Sequence, residues 1–129
     1  MHTAFNESSR LAKAFGPGEA IFHQGQPGDA MYVVQEGQVD IVLQGPAGPK
    51  QLGSLDRGKI FGEMALVDRS PRTADAVAGP HGAQVLVIDR SQFVYLVSQQ
   101  PAFALVILEA VVTRMRSLGA APQPEGAAA

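Results

Sequence analysis

Between Gly16 and Ile88 the chain never stays apolar for more than a few residues before a turn-forming residue interrupts it. The apolar runs are Ala20–His23, Met31–Gln35, Val39–Leu43, Gln51–Leu55, Asp75–Ala78 and Gln84–Ile88. Runs this short leave little room for packed helices. Evenly spaced short strands joined by glycine turns instead predict a sandwich or barrel of the jelly-roll kind. Alternation is clearest at Val39-Asp40-Ile41-Val42-Leu43, where every second residue faces one side of a pleated strand. Glu36-Gly37 reads as one tight turn and Gly45-Pro46-Ala47-Gly48-Pro49 as a longer one. No internal repeat is visible.

After Asp89 the period changes. Asp89 followed three residues later by Gln92 reads as a capping box, opening a helix through about Gln99. Pro101 suits the first turn of a second helix reaching Leu118. On that helix Ala104, Leu108, Val111, Met115 and Leu118 recur at alternating four- and three-residue intervals, a narrow seam along one side. Phe103, Val106, Ile107 and Ala110 form a second apolar face. A helix apolar on two sides needs two partners. One is the barrel, and the expected second is the same helix, residues 101–118, of another copy, giving a homodimer. The fold class is therefore mainly β with flanking helices. The domain is placed at residues 1–118, followed by a flexible tail, 119–129, of small, polar and proline residues.

Composition removes several function classes. At 129 residues the chain is one domain-sized unit that can bury a core without staples. It has no cysteine, which excludes disulfides and thiolate chemistry. A net charge of −2 gives no footprint for nucleic acid. The first twenty residues hold no signal-peptide core, so a cytoplasmic location is expected. The longest apolar-rich stretch, Ala102 to Val112, is too short for a membrane span of roughly twenty residues, so no membrane partner is expected. His2, His23 and His81 share no ligand-like spacing, and neither a metal nor a cofactor is expected. No nucleophile–base arrangement is visible among the serines and histidines, so the chain does not read as an enzyme.

One stretch remains, FGEMALVDRSPRTADAVA at residues 61–78. Its opening has helix-forming composition and follows a turn at Gly58. A short helical turn there offers free backbone N–H groups to an anion, and Gly62 lets a ligand approach the backbone. Ser70-Pro71 forces an extended or turn conformation, after which Arg72 is expected to enter a strand. A guanidinium facing the helix start completes a phosphate cradle, with Thr73 as a further hydroxyl donor. Glu63 suits a different partner, since a carboxylate accepts hydrogen bonds from a sugar hydroxyl. Phe61 and Leu66 read as core. The residues converge on a phosphorylated sugar, hence a nucleotide.

The same stretch resembles the phosphate-binding cassette of the cyclic nucleotide-binding domain family, shared by catabolite-activator-type regulators, cyclic-nucleotide-dependent kinases and gated channels. The pattern F-G-E-x-A-L, a short loop, then R-[TS]-A is met by Phe61, Gly62, Glu63, Ala65, Leu66, Arg72, Thr73 and Ala74. Upstream, Pro17-Gly18-Glu19, Ile21-Phe22, Gly25, Met31-Tyr32 and Gly37 also fit, as do Phe93 and Leu96 downstream. The similarity covers roughly residues 15–118. It implies a jelly-roll barrel, a ribose 2′-hydroxyl on Glu63 and a cyclic phosphate on Arg72. Gly62, Met64, Ala65 and Thr73 would complete the binding site for cAMP or cGMP. The resemblance further implies a final helix that covers the base, moves on binding and often dimerises. Eleven residues follow that helix, too few for a DNA-reading, kinase or channel domain. The expectation is a stand-alone sensor whose output goes to a separate protein. The alternative is a jelly roll that binds no ligand and acts as an interaction or dimerisation module.

Overall fold

A computed structural model describes residues 11–120. Six strands come first in the chain: β1 (Ala12–Phe15), β2 (Ala20–Phe22), β3 (Ala30–Gly45), β4 (Gly48–Leu55), β5 (Ile60–Phe61) and, after a short helix, β6 (Asp75–Asp89). The helices are α1 (Glu63–Asp68), α2 (Arg90–Gln99) and α3 (Ala102–Ala120). All strand pairs are antiparallel, in the order β1-β6-β3-β4, with β2 also on β6 and β5 also on β3. The architecture is a jelly roll with C-terminal helices, as the turn spacing predicted.

The expected tight turn at Glu36-Gly37 does not exist. Met31–Gln35 and Val39–Leu43 belong to one strand, β3, and Glu36-Gly37 lies at an irregularity within it. Register with β6 slips between Val34 and Glu36, and again between Gly37 and Val39, where β6 bows out through Gly79–Gly82. Gly37 has φ 80°, and a Cβ there would lie 2.3 Å from the Gly82 carbonyl oxygen. The glycine serves close backbone contact in a bulge rather than chain reversal. Gly45-Pro46-Ala47-Gly48 does reverse the chain, pairing Gly45 with Gly48. β1 and β5 had no sequence signal and are held by pairing with β6 and β3.

The period of two sends neighbouring residues to different cores. Tyr32, Val34, Phe61, Val85 and Val87 pack inside the roll with Phe22, Val39, Ile41 and Ala76. Met31, Val33, Ile60 and Ile88 pack outward, joined by Leu66 of α1. This outer cluster receives Phe93 and Leu96 of α2 and Phe103, Ile107 and Ala110 of α3. Burying each large apolar side chain contributes about 1.5–3 kcal/mol, so the outer cluster is what ties the helices to the sheet.

α2 opens as expected. The Asp89 carboxylate accepts from the Gln92 amide at 2.8 Å, and the Gln92 side chain accepts from the Asp89 amide at 2.9 Å. α3 starts at Ala102, just after Pro101, and runs to Ala120, two residues beyond the expected Leu118. The rest of the expected tail, and residues 1–10 with His2, lie outside the described residues. Phe103, Ile107 and Ala110 face the barrel, but Val106, assigned to the same face, is exposed. The exposed apolar stripe is Leu105, Leu108 and Val112, where the sequence placed Ala104, Leu108 and Val111. The side chains of Met115 and Leu118 lie outside the described residues. No helix among the described residues is long and apolar enough to cross a membrane.

Candidate functional site

The cassette begins where β5 ends. Phe61 is fully buried, and Gly62 then turns the chain with φ 76° into α1. A side chain at Gly62 would be strained by that φ and would place a Cβ 2.8 Å from the Arg72 guanidinium. α1 is six residues long, with Glu63, Ala65 and Leu66 turned inward. It stops at Arg69, whose φ is 56° and whose N–H donates to the Ala65 carbonyl. The Ser70 amide donates to the Asp68 carboxylate at 3.0 Å, and Ser70 holds that carboxyl below its ordinary value.

Arg72 does not enter a strand. β6 begins only at Asp75, and Arg72 lies in the loop before it, bonded through its backbone to another loop. Its N–H donates to the Gln26 carbonyl at 2.9 Å, and its carbonyl accepts from the Gly25 amide at 2.8 Å. Loop–loop pairing fixes the Cα, and the side chain then runs inward to 7% exposure. One terminal nitrogen donates to the Gly62 carbonyl at 3.0 Å and the other to the Ala30 carbonyl at 2.8 Å. The guanidinium carbon lies over the Phe22 ring, 4.2 Å from its centroid, and 5.5 Å from that of Tyr32. Tyr32 in turn stacks on Phe61 at 5.0 Å. Burial pushes the Tyr32 phenol above its ordinary value against the opposing pull of Arg72. Gly28 also borders the guanidinium, since a Cβ there would lie 2.6 Å from its carbon.

The structure thus joins Gly62 and Arg72 directly, and Glu63, the residue after Gly62, is 2% exposed. Ala65 is buried in the same turn. The Met64 side chain is 51% exposed, and Thr73 lies exposed at the bend after Arg72. Phe61 and Leu66 are core, as read. Four contributors had not been singled out for the site: Phe22, Gly28, Tyr32 and the Ala30 carbonyl. A backbone carbonyl carries no residue identity, so nothing in the sequence could have pointed to Ala30.

Below Arg72, Asp75 anchors the exit of the cassette. Its carboxylate accepts from the Gln24 amide at 2.7 Å and the Gln44 side chain at 2.8 Å, with His23 at 3.8 Å. Burial alone would raise its pKa, but these donors together hold it below the ordinary value. A cleft of about 510 Å³ lies between Gly28, Asp29, Leu66, Arg69, Asp89 and Arg90. It shares Gly28 with the arginine site, but neither Glu63 nor Arg72 lines it. Across it the Arg90 guanidinium donates to the Val67 carbonyl at 3.0 Å, tying α2 to the end of α1.

Residues 12–100 match the family model of the cyclic nucleotide-binding domain. The chain belongs to that family. The cGMP-dependent protein kinase egl-4 of Caenorhabditis elegans is 38% identical over 78 residues, which cover 59% of this chain and 10% of the kinase. A cAMP-dependent protein kinase regulatory subunit of Aspergillus niger is 44% identical over 77 residues, 56% of this chain and 18% of that one. The chain therefore corresponds to less than a fifth of either relative. The crystal structure of the Thermus thermophilus catabolite activator protein superposes with a TM-score of 0.79 at 27% identity, covering 92% of this chain and 57% of that one. The cyclic nucleotide-binding fold is thus present across nearly all the described residues.

Proposed function

We propose that this chain is a cyclic nucleotide sensor that binds cAMP or cGMP inside the roll and signals by moving its C-terminal helix. The phosphate goes to Arg72, Thr73 and the backbone of Gly62, Met64 and Ala65, and the ribose hydroxyl goes to Glu63. One observation carries the reading beyond family membership. The Arg72 guanidinium donates to the Gly62 carbonyl at 3.0 Å, and the next residue in the chain, Glu63, is likewise buried. A cation for the phosphate and an acceptor for the sugar then flank one turn of backbone. The named relatives include a cGMP-dependent kinase and a subunit of a cAMP-dependent one, so both nucleotides are candidates, and cAMP is the first choice.

A ligand shifts a conformational equilibrium only through its differential affinity for the two states. The proposed moving part is α3, which packs on the outer cluster through Phe103, Ile107 and Ala110 and leaves Leu105, Leu108 and Val112 exposed. Output then passes through pairing of residues 101–118 with a second copy or through a separate protein. Both are proposed in the cytoplasm, without nucleic acid or membrane and without catalysis by this segment. Calorimetric titration with cAMP and with cGMP tests the reading, and absence of binding to either at millimolar concentration overturns it. Arg72→Ala should remove most of the affinity, since each hydrogen bond to a charged group contributes about 1.5–3 kcal/mol. Unchanged affinity in that variant would show that the phosphate lies elsewhere.

A further inference from the structure

Three of the contacts around the buried Arg72 guanidinium come from uncharged groups. Two are backbone carbonyls, from Gly62 and Ala30, and a third is the face of the Phe22 ring, 4.2 Å away. Carbonyl dipoles and a ring quadrupole orient a cation without cancelling its charge. An arginine held this way has its long side chain fixed before an anion arrives. Fixing a flexible group before the ligand arrives removes an ordering cost from binding.

We propose that Phe22 is a positioning residue for anion recognition, its ring forming the shelf on which Arg72 is held ready. This rests on the reading that Arg72 receives the cyclic phosphate. Phe22 is well placed for the task. It is 5% exposed, and its ring meets those of Tyr32 at 5.6 Å and Phe61 at 6.0 Å, so neighbouring aromatics hold it in place. Gly28 keeps its border of the guanidinium clear, since a Cβ there would overlap the guanidinium carbon and the Nε atom at 2.6 Å. Phe22 touches the arginine rather than the ligand, and it acts by restricting where the cation can go.

The first test needs no ligand and no variant of Phe22. In the free wild-type protein, the NMR signal of the Arg72 Nε–H, assigned by its loss in Arg72→Lys, should be displaced upfield by the ring current. A signal at the position of a solvated arginine overturns the shelf. The second test compares calorimetric affinities for cAMP and cGMP. Phe22→Leu keeps an apolar side chain but loses the ring, and it should bind roughly ten-fold more weakly, as expected for one desolvated cation–π contact. Val39→Ala, in the same inner cluster, controls for general loosening of the core. It should lower the melting temperature while leaving affinity within about two-fold of wild type. Equal affinities for Phe22→Leu and Val39→Ala overturn the proposal. A wild-type protein that binds neither nucleotide overturns the proposed function instead, and the arginine signal alone then decides the shelf.

Discussion

The cassette and the C-terminal helices solve different packing problems. α2 and α3 bury apolar residues on one side, Phe93, Leu96, Phe103 and Ile107, as amphipathic helices ordinarily do. The cassette buries Phe61, Ala65 and Leu66 in the same way but adds two charged residues to them. Glu63 and Arg72 are 2% and 7% exposed, while Met64 and Val67 on the same short segment are 51% and 74% exposed. Burying charge costs several kcal/mol unless it is well partnered, and a chain optimised only for stability would not place its polar and apolar groups this way. The helices pack through apolar side chains, whereas the cassette also buries two charged ones.

Four substitutions press on that contrast. The largest loss of stability should come from Phe61→Ala, which empties the floor beneath the cassette and should cost about 3–5 kcal/mol in denaturant unfolding. A loss below about 1 kcal/mol would mean that the inner core does not support the site. Next is Gly28→Ala, which forces a methyl against the Arg72 guanidinium and should cost about 1–3 kcal/mol, the range for overpacking. Thermal melts would show it, and a neutral result would mean that the arginine moves aside without penalty. Asp89→Ala removes the capping box of α2 and should cost about 1 kcal/mol, read from the same melts. The smallest effect is expected from Leu105→Ser on the exposed stripe of α3, within about 0.5 kcal/mol in dilute protein. A loss several times larger, together with a change in sedimentation, would show that the stripe is covered in solution and would narrow the contrast between the two regions.

Much of the molecule was legible because local chemistry and global packing agree there. The Asp89–Gln92 capping box is written in two side chains three residues apart and formed as read. The short helix expected over Phe61–Leu66 formed two residues later, at Glu63–Asp68, with Phe61 left in a strand, and Phe61 and Leu66 are core as read. Misreadings fall where one signal serves two geometries. A glycine at positive φ fits a turn or a bulge equally, and at Gly37 the bulge won because β6 bows out opposite it. β1 has the sequence Ala-Lys-Ala-Phe, poor in strand formers, and exists because Ala12–Phe15 pairs with Ala83–Leu86 of β6. Within the site, Glu63 and Arg72 could be picked out by type and spacing. The groups that orient Arg72 could not, because Gln26 and Ala30 act through backbone atoms and Phe22 lies fifty residues upstream.

The aromatic cluster under the guanidinium has a practical corollary. The chain has no tryptophan and two tyrosines, Tyr32 and Tyr95. Tyr95 lies exposed on α2, while Tyr32 is stacked on Phe61 within 5.5 Å of the Arg72 guanidinium. Intrinsic ultraviolet emission therefore comes from one solvent-facing fluorophore and one placed at the arginine. With Tyr95→Phe as background, the remaining glow becomes an unlabelled gauge of what happens beside that cation.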